Sequence, residues 1–147
     1  MNEIEVKIIN QSDNPLPTYT TQGSSGMDPR AFLANSEALA PMQIKAITTG
    51  LFIELPLGYE GQVRPRSGLA LKQGLTVLNT PGTIDSYDRG EIKVILINLS
   101  GQQQEIKSGE RIAQLIVQKV DRVQLKLVDK LQGSERGEGG FGHSGKH

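Results

Sequence analysis

Short apolar runs, several of them alternating with polar residues, are spaced along most of the chain. Near the N-terminus, Ile4, Val6 and Ile8 alternate with charged residues, which predicts a half-buried strand. Later runs recur at intervals of roughly 8–12 residues with glycine or proline between them, a spacing typical of an antiparallel sandwich or barrel. Only residues 66–72 have a helical character, and residues 11–25 and 34–41 are expected to be loops. The other predicted strands cover residues 42–47, 51–55, 75–78, 91–98, 110–117 and 123–127.

The stretch 75–98 contains two β-rich runs separated by turn-forming residues, which predicts a hairpin. For its length, the turn region contains an unusual number of residues with functional side chains. The amide of Asn79 can pair with an imide edge, Asp85 follows apolar Ile84 and could act as a general base, and Tyr87 offers a stacking face. Taken alone, a polar hairpin tip and a structural hydrogen bond to the aspartate are the commoner explanations.

Composition narrows the class of protein. With 147 residues the chain is about one domain long, and its 16 basic and 16 acidic residues give no net field that would recruit nucleic acid or an acidic membrane surface. The absence of cysteine excludes disulfides, thiolate zinc sites and thiol catalysis, and it favours an intracellular, cytoplasmic location. No apolar run approaches the ~20 residues of a membrane helix, and no signal-peptide core is present. Tryptophan is absent and aromatic residues make up 4%, so aliphatic side chains must build the core.

Three further stretches carry polar residues suited to a phosphate. Arg66, Ser67 and Gly68 offer a cation, a hydroxyl and an unhindered amide where a helix starts, with N-capping by Ser67 as the alternative. Asp28 lies two residues after Gly26, and an aspartate close to a glycine commonly belongs to a turn or cap. Gln114 is the one polar residue expected to point inward from its strand.

The last sixteen residues change character, with six glycines, one aromatic residue and no periodicity. Such a segment cannot order itself by burial, so a frayed tail is one interpretation. Arg136 and Phe141 place a cation and a stacking ring on backbone that can wrap a phosphate. Composition alone does not distinguish a frayed tail from an arm that closes over a ligand.

Taken in order, these stretches closely resemble the five motifs of the trimeric dUTPase (dUTP diphosphatase) family, and the resemblance covers nearly the whole chain. The matching segments are GSSGMD, PRSGLA, NTPGTID with RGEIKV, GERIAQL and RGEGGFGHSG. The resemblance implies an all-β antiparallel jelly-roll (β-clip) with one short helix over residues 1–132, and a flexible arm over residues 133–147. It also implies a homotrimer with active sites shared between subunits, hydrolysis of dUTP to dUMP and pyrophosphate, and Mg²⁺ on the triphosphate.

The same resemblance implies a role for each motif residue. Asp85 would activate the attacking water, and Asp28 would hold Mg²⁺ through water. The uracil and its sugar would be held by Asn79, Gly82, Thr83, Ile84, Tyr87 and Asp88. The phosphates would be held by Arg66, Ser67, Gly68 and Gln114. The closing arm would contribute Arg136, Phe141, Gly142 and Ser144.

Three positions depart from the family pattern: the order Tyr87-Asp88 is reversed, Pro29 replaces a leucine, and His143 replaces a common serine. In extended backbone a one-residue shift turns a side chain to the opposite face, so Asp88 is expected to face the sugar and Tyr87 to point away. A local bulge that re-aims Tyr87 is the alternative. Two other functions stay open: a nucleotide-binding or regulatory protein with little turnover, and a relative of the dCTP deaminases.

Overall fold

The computed structural model describes residues 3–135 and residue 138, and in that part of the chain nine strands and one short helix form. The elements in chain order are β1 (Lys7–Asn10), β2 (Glu37–Leu39), β3 (Ile44–Glu54), β4 (Tyr59–Arg64), α1 (Ser67–Gln73), β5 (Leu75–Val77), β6 (Gly82–Ile84), β7 (Glu91–Asn98), β8 (Gln104–Ile106) and β9 (Gln114–Lys119).

All strand pairs are antiparallel and fall into three sheets. The largest has the order β1-β3-β7-β5, a second has the order β6-β4-β9, and β2 pairs with β8. The expected all-β jelly-roll with one short helix is therefore confirmed. The core is aliphatic, as the composition predicts, and its largest fully buried hydrophobic side chains are Leu39, Ile47, Leu75, Leu96, Ile106 and Ile112.

The two strands expected over 42–47 and 51–55 are one strand, β3, with an irregularity in its pairing to β7 between Thr48 and Phe52. Gly50 has a positive φ of 70°, which a residue with a side chain rarely adopts. The buried Thr49 hydroxyl donates to the Ile92 carbonyl at 2.6 Å, and the Glu91 carboxylate accepts from the Gly50 amide at 2.9 Å. The glycine bends the strand without ending it because these bonds replace the lost ladder bonds.

The predicted hairpin over 75–98 is confirmed in its two arms, because β5 pairs with β7 from Leu75↔Asn98 to Val77↔Leu96. The segment between the arms is more than a tip. Strand β6 leaves this sheet and pairs with β4, with Gly82 opposite Val63. The stretch therefore connects the two sheets, which the local sequence pattern did not indicate.

Three other boundaries differ from expectation because strand ends depend on the partner available. Strand β1 starts only at Lys7, and the strand expected over 110–117 runs instead over Gln114–Lys119, the part that pairs with β4. The expected loop 34–41 contains β2, which forms by pairing with β8.

The strand expected over 123–127 does not form in this single chain. Val123, Leu125 and Leu127 are 80%, 91% and 100% exposed and belong to no strand. An alternating pattern makes a strand only where a sheet edge is within reach, and this segment has none in its own chain. In the part of the chain that the structure describes, no helix has the length and apolar content to cross a membrane.

Candidate active site

A first cavity of about 280 Å³ brings together residues from three separate stretches of sequence. Its walls include five of the predicted phosphate and metal residues, and the complete lining is Thr20, Ser24, Ser25, Gly26, Asp28, Arg66, Ser67, Gly68 and Gln114. These five residues come from three segments, at 28, 66–68 and 114, which lie more than 30 residues apart in the chain, so only the fold assembles them.

The loop carrying Asp28 is held against the edge of β9. The Met27 amide donates to the Leu115 carbonyl at 2.9 Å, and the Leu115 amide donates to the Met27 carbonyl at 2.6 Å. Gly26 allows this close approach, since a Cβ at that position would lie 2.9 Å from Ile116 Cγ1. Asp28 is thereby placed beside the Gln114 end of β9.

Pro29 lies at a change of register in this pairing. The bridge Met27↔Leu115 is followed by Arg30↔Arg111, so two residues between the bridges on one side oppose three on the other. Pro29 is buried, and its carbonyl accepts from the Ile112 amide at 3.2 Å. A missing ladder donor is tolerated at such an irregularity, which accounts for proline at this position.

Helix α1 begins at Ser67, with Arg66 as its N-cap in extended conformation and no side-chain hydrogen bond capping it. The alternative that Ser67 is the N-cap is therefore wrong. Ser67 and Gly68 are exposed and line the cavity.

Arg66 and Asp28 form an ion pair inside this cavity, with 3.2 Å between Arg66 Nε and Asp28 Oδ2. Their side chains are 31% and 23% exposed. Arg66 Nη1 also donates to the Arg111 carbonyl at 3.4 Å, and the Gln114 side-chain amide donates to the Pro65 carbonyl at 3.2 Å. These bonds hold the start of α1 against β9 and the loop before it.

A second cavity of about 230 Å³ lies beside β6 and combines apolar walls with amide and carboxylate groups. It contains five of the predicted base and sugar residues, and its complete lining is Ala46, Val63, Asn79, Gly82, Thr83, Ile84, Asp88, Gly90, Glu91, Ile92, Lys93 and Ile95. A Cβ at Gly82 would lie 3.3 Å from Asn79 Nδ2, so glycine leaves the Asn79 amide uncrowded.

The turn after β6 orients Asp88 toward this second cavity. The Asp88 amide donates to the Asp85 carbonyl at 3.0 Å, and Asp88 Oδ1 accepts from the Gly90 amide at 2.8 Å. Arg89 donates to the Ser86 carbonyl at 2.7 Å. Tyr87 is 80% exposed and lies outside the lining. Among the described residues, Asp88 lines this cavity and Tyr87 does not, and which of the two faces the sugar stays a prediction.

Asp85 is exposed and lines neither cavity. It follows Ile84, whose side chain lies in the wall of the second cavity. Arg136, Phe141, Gly142 and Ser144 lie outside the described residues. Among the residues that are described, the predicted site is split, because the two cavities share no lining residue.

Sequence reasoning missed several cavity residues. Thr20, Ser24 and Ser25 belong to a hydroxyl-rich run just before Gly26, a local signal that could have indicated them. No comparable signal marks the apolar walls of the second cavity, because they come from four strands, β3, β4, β6 and β7, that only the fold brings together.

The donor groups of the first cavity fit a magnesium ion held mainly by water and by its own phosphate ligands. Asp28 is the one carboxylate in the lining, accompanied by hydroxyls. Within residues 3–135 and residue 138, no group of three or more His, Cys, Asp or Glu side chains could hold a metal ion. Magnesium retains several waters and commonly takes one or two carboxylates plus substrate phosphates, which suits this set.

Comparison with known proteins agrees with the motifs. The model of the dUTPase family matches residues 2–145. The chain is 51% identical over 142 residues to the deoxyuridine 5'-triphosphate nucleotidohydrolase of Finegoldia magna, covering 97% of this chain and 99% of that protein. It is 53% identical over 150 aligned positions to the enzyme of the same name from Wolbachia sp. subsp. Brugia malayi, covering 99% and 96%.

Among solved structures, the dUTPase of Staphylococcus bacteriophage 80alpha with dUPNHPP superposes with a TM-score of 0.85. It is 26% identical, and the match covers 96% of this chain and 98% of that one. The sequence match over nearly the full length and the shared architecture lead to one conclusion: the chain belongs to the dUTPase family.

Proposed function

We propose that this protein hydrolyses dUTP to dUMP and pyrophosphate. The observation that carries the proposal is the first cavity, where Asp28, Arg66, Ser67, Gly68 and Gln114 meet although the sequence separates them. A cation, hydroxyls, a helix-start amide and a side-chain amide suit a polyphosphate. Family membership and the phage enzyme with dUPNHPP, an analogue of dUTP, support the same substrate.

The second cavity is suited to the uracil end of that substrate. Asn79 offers a donor and an acceptor to an imide edge, and the Gly82–Ile84 backbone forms the adjacent wall. A cavity of about 230 Å³ is large enough to hold one pyrimidine. Selectivity for uracil over cytosine then comes from this hydrogen bonding. Where uracil presents a carbonyl oxygen to a donor of the site, cytosine would present its exocyclic amino group, and two donors cannot form a hydrogen bond.

The reaction that we propose is in-line attack of a water oxygen on the α-phosphorus. The new P–O bond forms as the bond to the bridging oxygen breaks, and the electron pair leaves on pyrophosphate. In this proposal Asp85, which directly follows Ile84 of the second cavity's lining, takes the proton of the attacking water. Arg66, Ser67 and Gly68 neutralise charge on the leaving pyrophosphate.

Magnesium, when bound, would supply positive charge that offsets the negative charge of the phosphates. Asp28 would hold its waters, as the fit of the donor groups indicates. Ser67, Gly68 and Gln114 would orient the phosphates, and the ion pair with Asp28 holds Arg66 in the cavity wall.

We propose further that the working form is a homotrimer whose sites are shared between subunits. One dUTP requires both cavities, and in one chain these have no residue in common. Unpaired apolar surface supports association: residues 123–127 are exposed, Ile44 is 51% exposed on the outer face of β3, and Leu99 is 58% exposed. A second copy could pair with the alternating segment 123–127. A monomer in sedimentation at micromolar concentration, with full activity, would refute the shared site.

The arm over residues 133–147 is proposed to close the site over bound nucleotide, with Arg136 on phosphate, Phe141 on uracil, and Gly142 and Ser144 beside them. The jelly-roll would then be the remaining 1–132. The cytoplasmic location stays a prediction, which fractionation of the source cells would test.

The test of the function is an assay of pyrophosphate and ammonia release from dUTP and dCTP. Pyrophosphate from dUTP alone is the expected result, and ammonia from dCTP would identify a deaminase. A weakly active nucleotide-binding protein is the second candidate, favoured by the carboxylate of Asp88 in the base cavity and the outward Tyr87. It would bind dUPNHPP and release almost no pyrophosphate.

A further inference from the structure

The arginine of the first cavity is already paired before any phosphate arrives. Arg66 Nε lies 3.2 Å from Asp28 Oδ2, and both side chains are more than two-thirds buried. Asp28 is held in place independently by the Met27–Leu115 backbone bonds on its N-terminal side. The backbone that carries the carboxylate is therefore held beside the guanidinium, while the carboxylate itself can turn.

The pair has two effects on an incoming anion. It fixes the Nε donor of Arg66, so the side chain loses less conformational entropy when its guanidinium binds phosphate. It also places a carboxylate beside the phosphate position, where it competes for Nε and repels the anion. A cation that draws the carboxylate charge away removes both the competition and the repulsion.

We propose that Asp28 is a positioning residue for Arg66, and that their ion pair makes polyphosphate binding depend on Mg²⁺. This inference rests on the proposed function, because it assigns the cavity to polyphosphate. In the metal-free protein the pair holds Arg66 and disfavours bare polyphosphate. When metal-bound polyphosphate enters, Asp28 turns to the waters of the ion and Arg66 turns to the phosphate.

Calorimetric titration of the full-length protein with inorganic pyrophosphate, in EDTA and in excess Mg²⁺, tests this. Asp28→Asn should bind metal-free pyrophosphate about three- to tenfold more tightly than the wild type, the range expected for releasing a partly buried charge pair. Its gain in affinity on adding Mg²⁺ should be smaller by at least the same factor. Asp13→Asn is the matched control, since Asp13 is exposed and lines neither cavity, and it should behave as the wild type.

Removing any negative charge near the cavity would tighten anion binding, so a double-mutant cycle with Arg66→Gln isolates the pair. In the Arg66→Gln background, Asp28→Asn should tighten metal-free binding by clearly less than it does beside Arg66. Equal tightening in both backgrounds would overturn the proposal, as would unchanged or weaker metal-free binding by Asp28→Asn. If Asp28→Asn does not fold, Asp28→Ser enters the same cycle.

Pyrophosphate binding is measured without turnover of dUTP, so the ion-pair inference and the proposed function can be tested independently. A wild type that releases no pyrophosphate from dUTP but shows the cycle would refute the function and support the ion-pair inference. A wild type that hydrolyses dUTP without the cycle would refute the inference alone.

Discussion

Gly26→Ala should disable the enzyme by displacing Asp28, although Gly26 itself carries no functional group. The added Cβ would lie 2.9 Å from Ile116 Cγ1 and 3.2 Å from the Leu115 carbonyl oxygen. Ile116 is 4% exposed and cannot move into solvent. The Met27–Leu115 hydrogen bonds, at 2.9 and 2.6 Å, oppose withdrawal of the loop. The methyl group can be accommodated only by a backbone shift.

The size of that shift follows from the contact distances. Carbon atoms pack at about 3.5–4.0 Å, so the contact must lengthen by about 0.6–1.1 Å. Overpacking of this kind costs about 1–3 kcal/mol of unfolding free energy. A displacement near 1 Å at a positioning group lowers rates about 10²-fold, and Asp28 is two residues away. We expect kcat/KM for dUTP to fall about 10- to 100-fold.

Gly23→Ala provides the matched control in the same loop, since a Cβ there meets nothing within 4 Å. It should change the unfolding free energy by less than about 0.5 kcal/mol and leave kcat/KM unchanged. Pyrophosphate release at varied dUTP gives the kinetics, and urea unfolding at equal protein concentration gives the stability. A Gly26→Ala protein indistinguishable from Gly23→Ala in both assays would refute the packing argument.

Three further changes test the proposed roles. Asp85→Asn should reduce turnover by about 10²–10⁴-fold while dUPNHPP still binds, because the amide keeps the shape but cannot take a proton; a tenth of the parent rate would exclude Asp85 as the base. Deleting 133–147 should leave a trimer with an almost unchanged melting temperature and little activity, since the segment has few apolar side chains to bury; normal turnover would show that it is only a tail. Exchanging the pair as Tyr87→Asp with Asp88→Tyr should raise kcat/KM for dUTP and strengthen discrimination against UTP, because a carboxylate in the base cavity repels triphosphate and can accept a 2′-hydroxyl. Lower activity of the exchanged protein would mean that Asp88 is the better neighbour for the sugar.

Some features of this protein depend only on neighbouring residues, and the sequence determined them. The strand Glu91–Asn98 has the predicted bounds because its apolar run is continuous and glycine precedes it. Helix α1 ends at Gln73, one residue beyond the predicted end, because Gly74 supplies the left-handed residue that closes it. The motif residues were also recognisable, since their chemistry and order are properties of the chain itself.

Where pairing with a distant strand decides whether a segment becomes a strand, the local sequence provided no signal or the wrong one. The alternating residues 123–127 look like a strand but find no edge in their own chain, whereas the weakly patterned Glu37–Leu39 becomes one because β8 lies beside it. Glycine at 50 suggested a break, yet bonds from Thr49 and Glu91 carry the strand through it.

The division of the site into two cavities is the clearest case. Asp28 and Arg66 meet because the loop around Met27 pairs with β9 and β9 pairs with β4, which leads into Arg66. Asn79 goes to the other cavity because β6 joins the far edge of β4. Local sequence specifies which side chains are present, but their distances are set by hydrogen-bonded registers between strands far apart in the chain, and only the tertiary structure determines those.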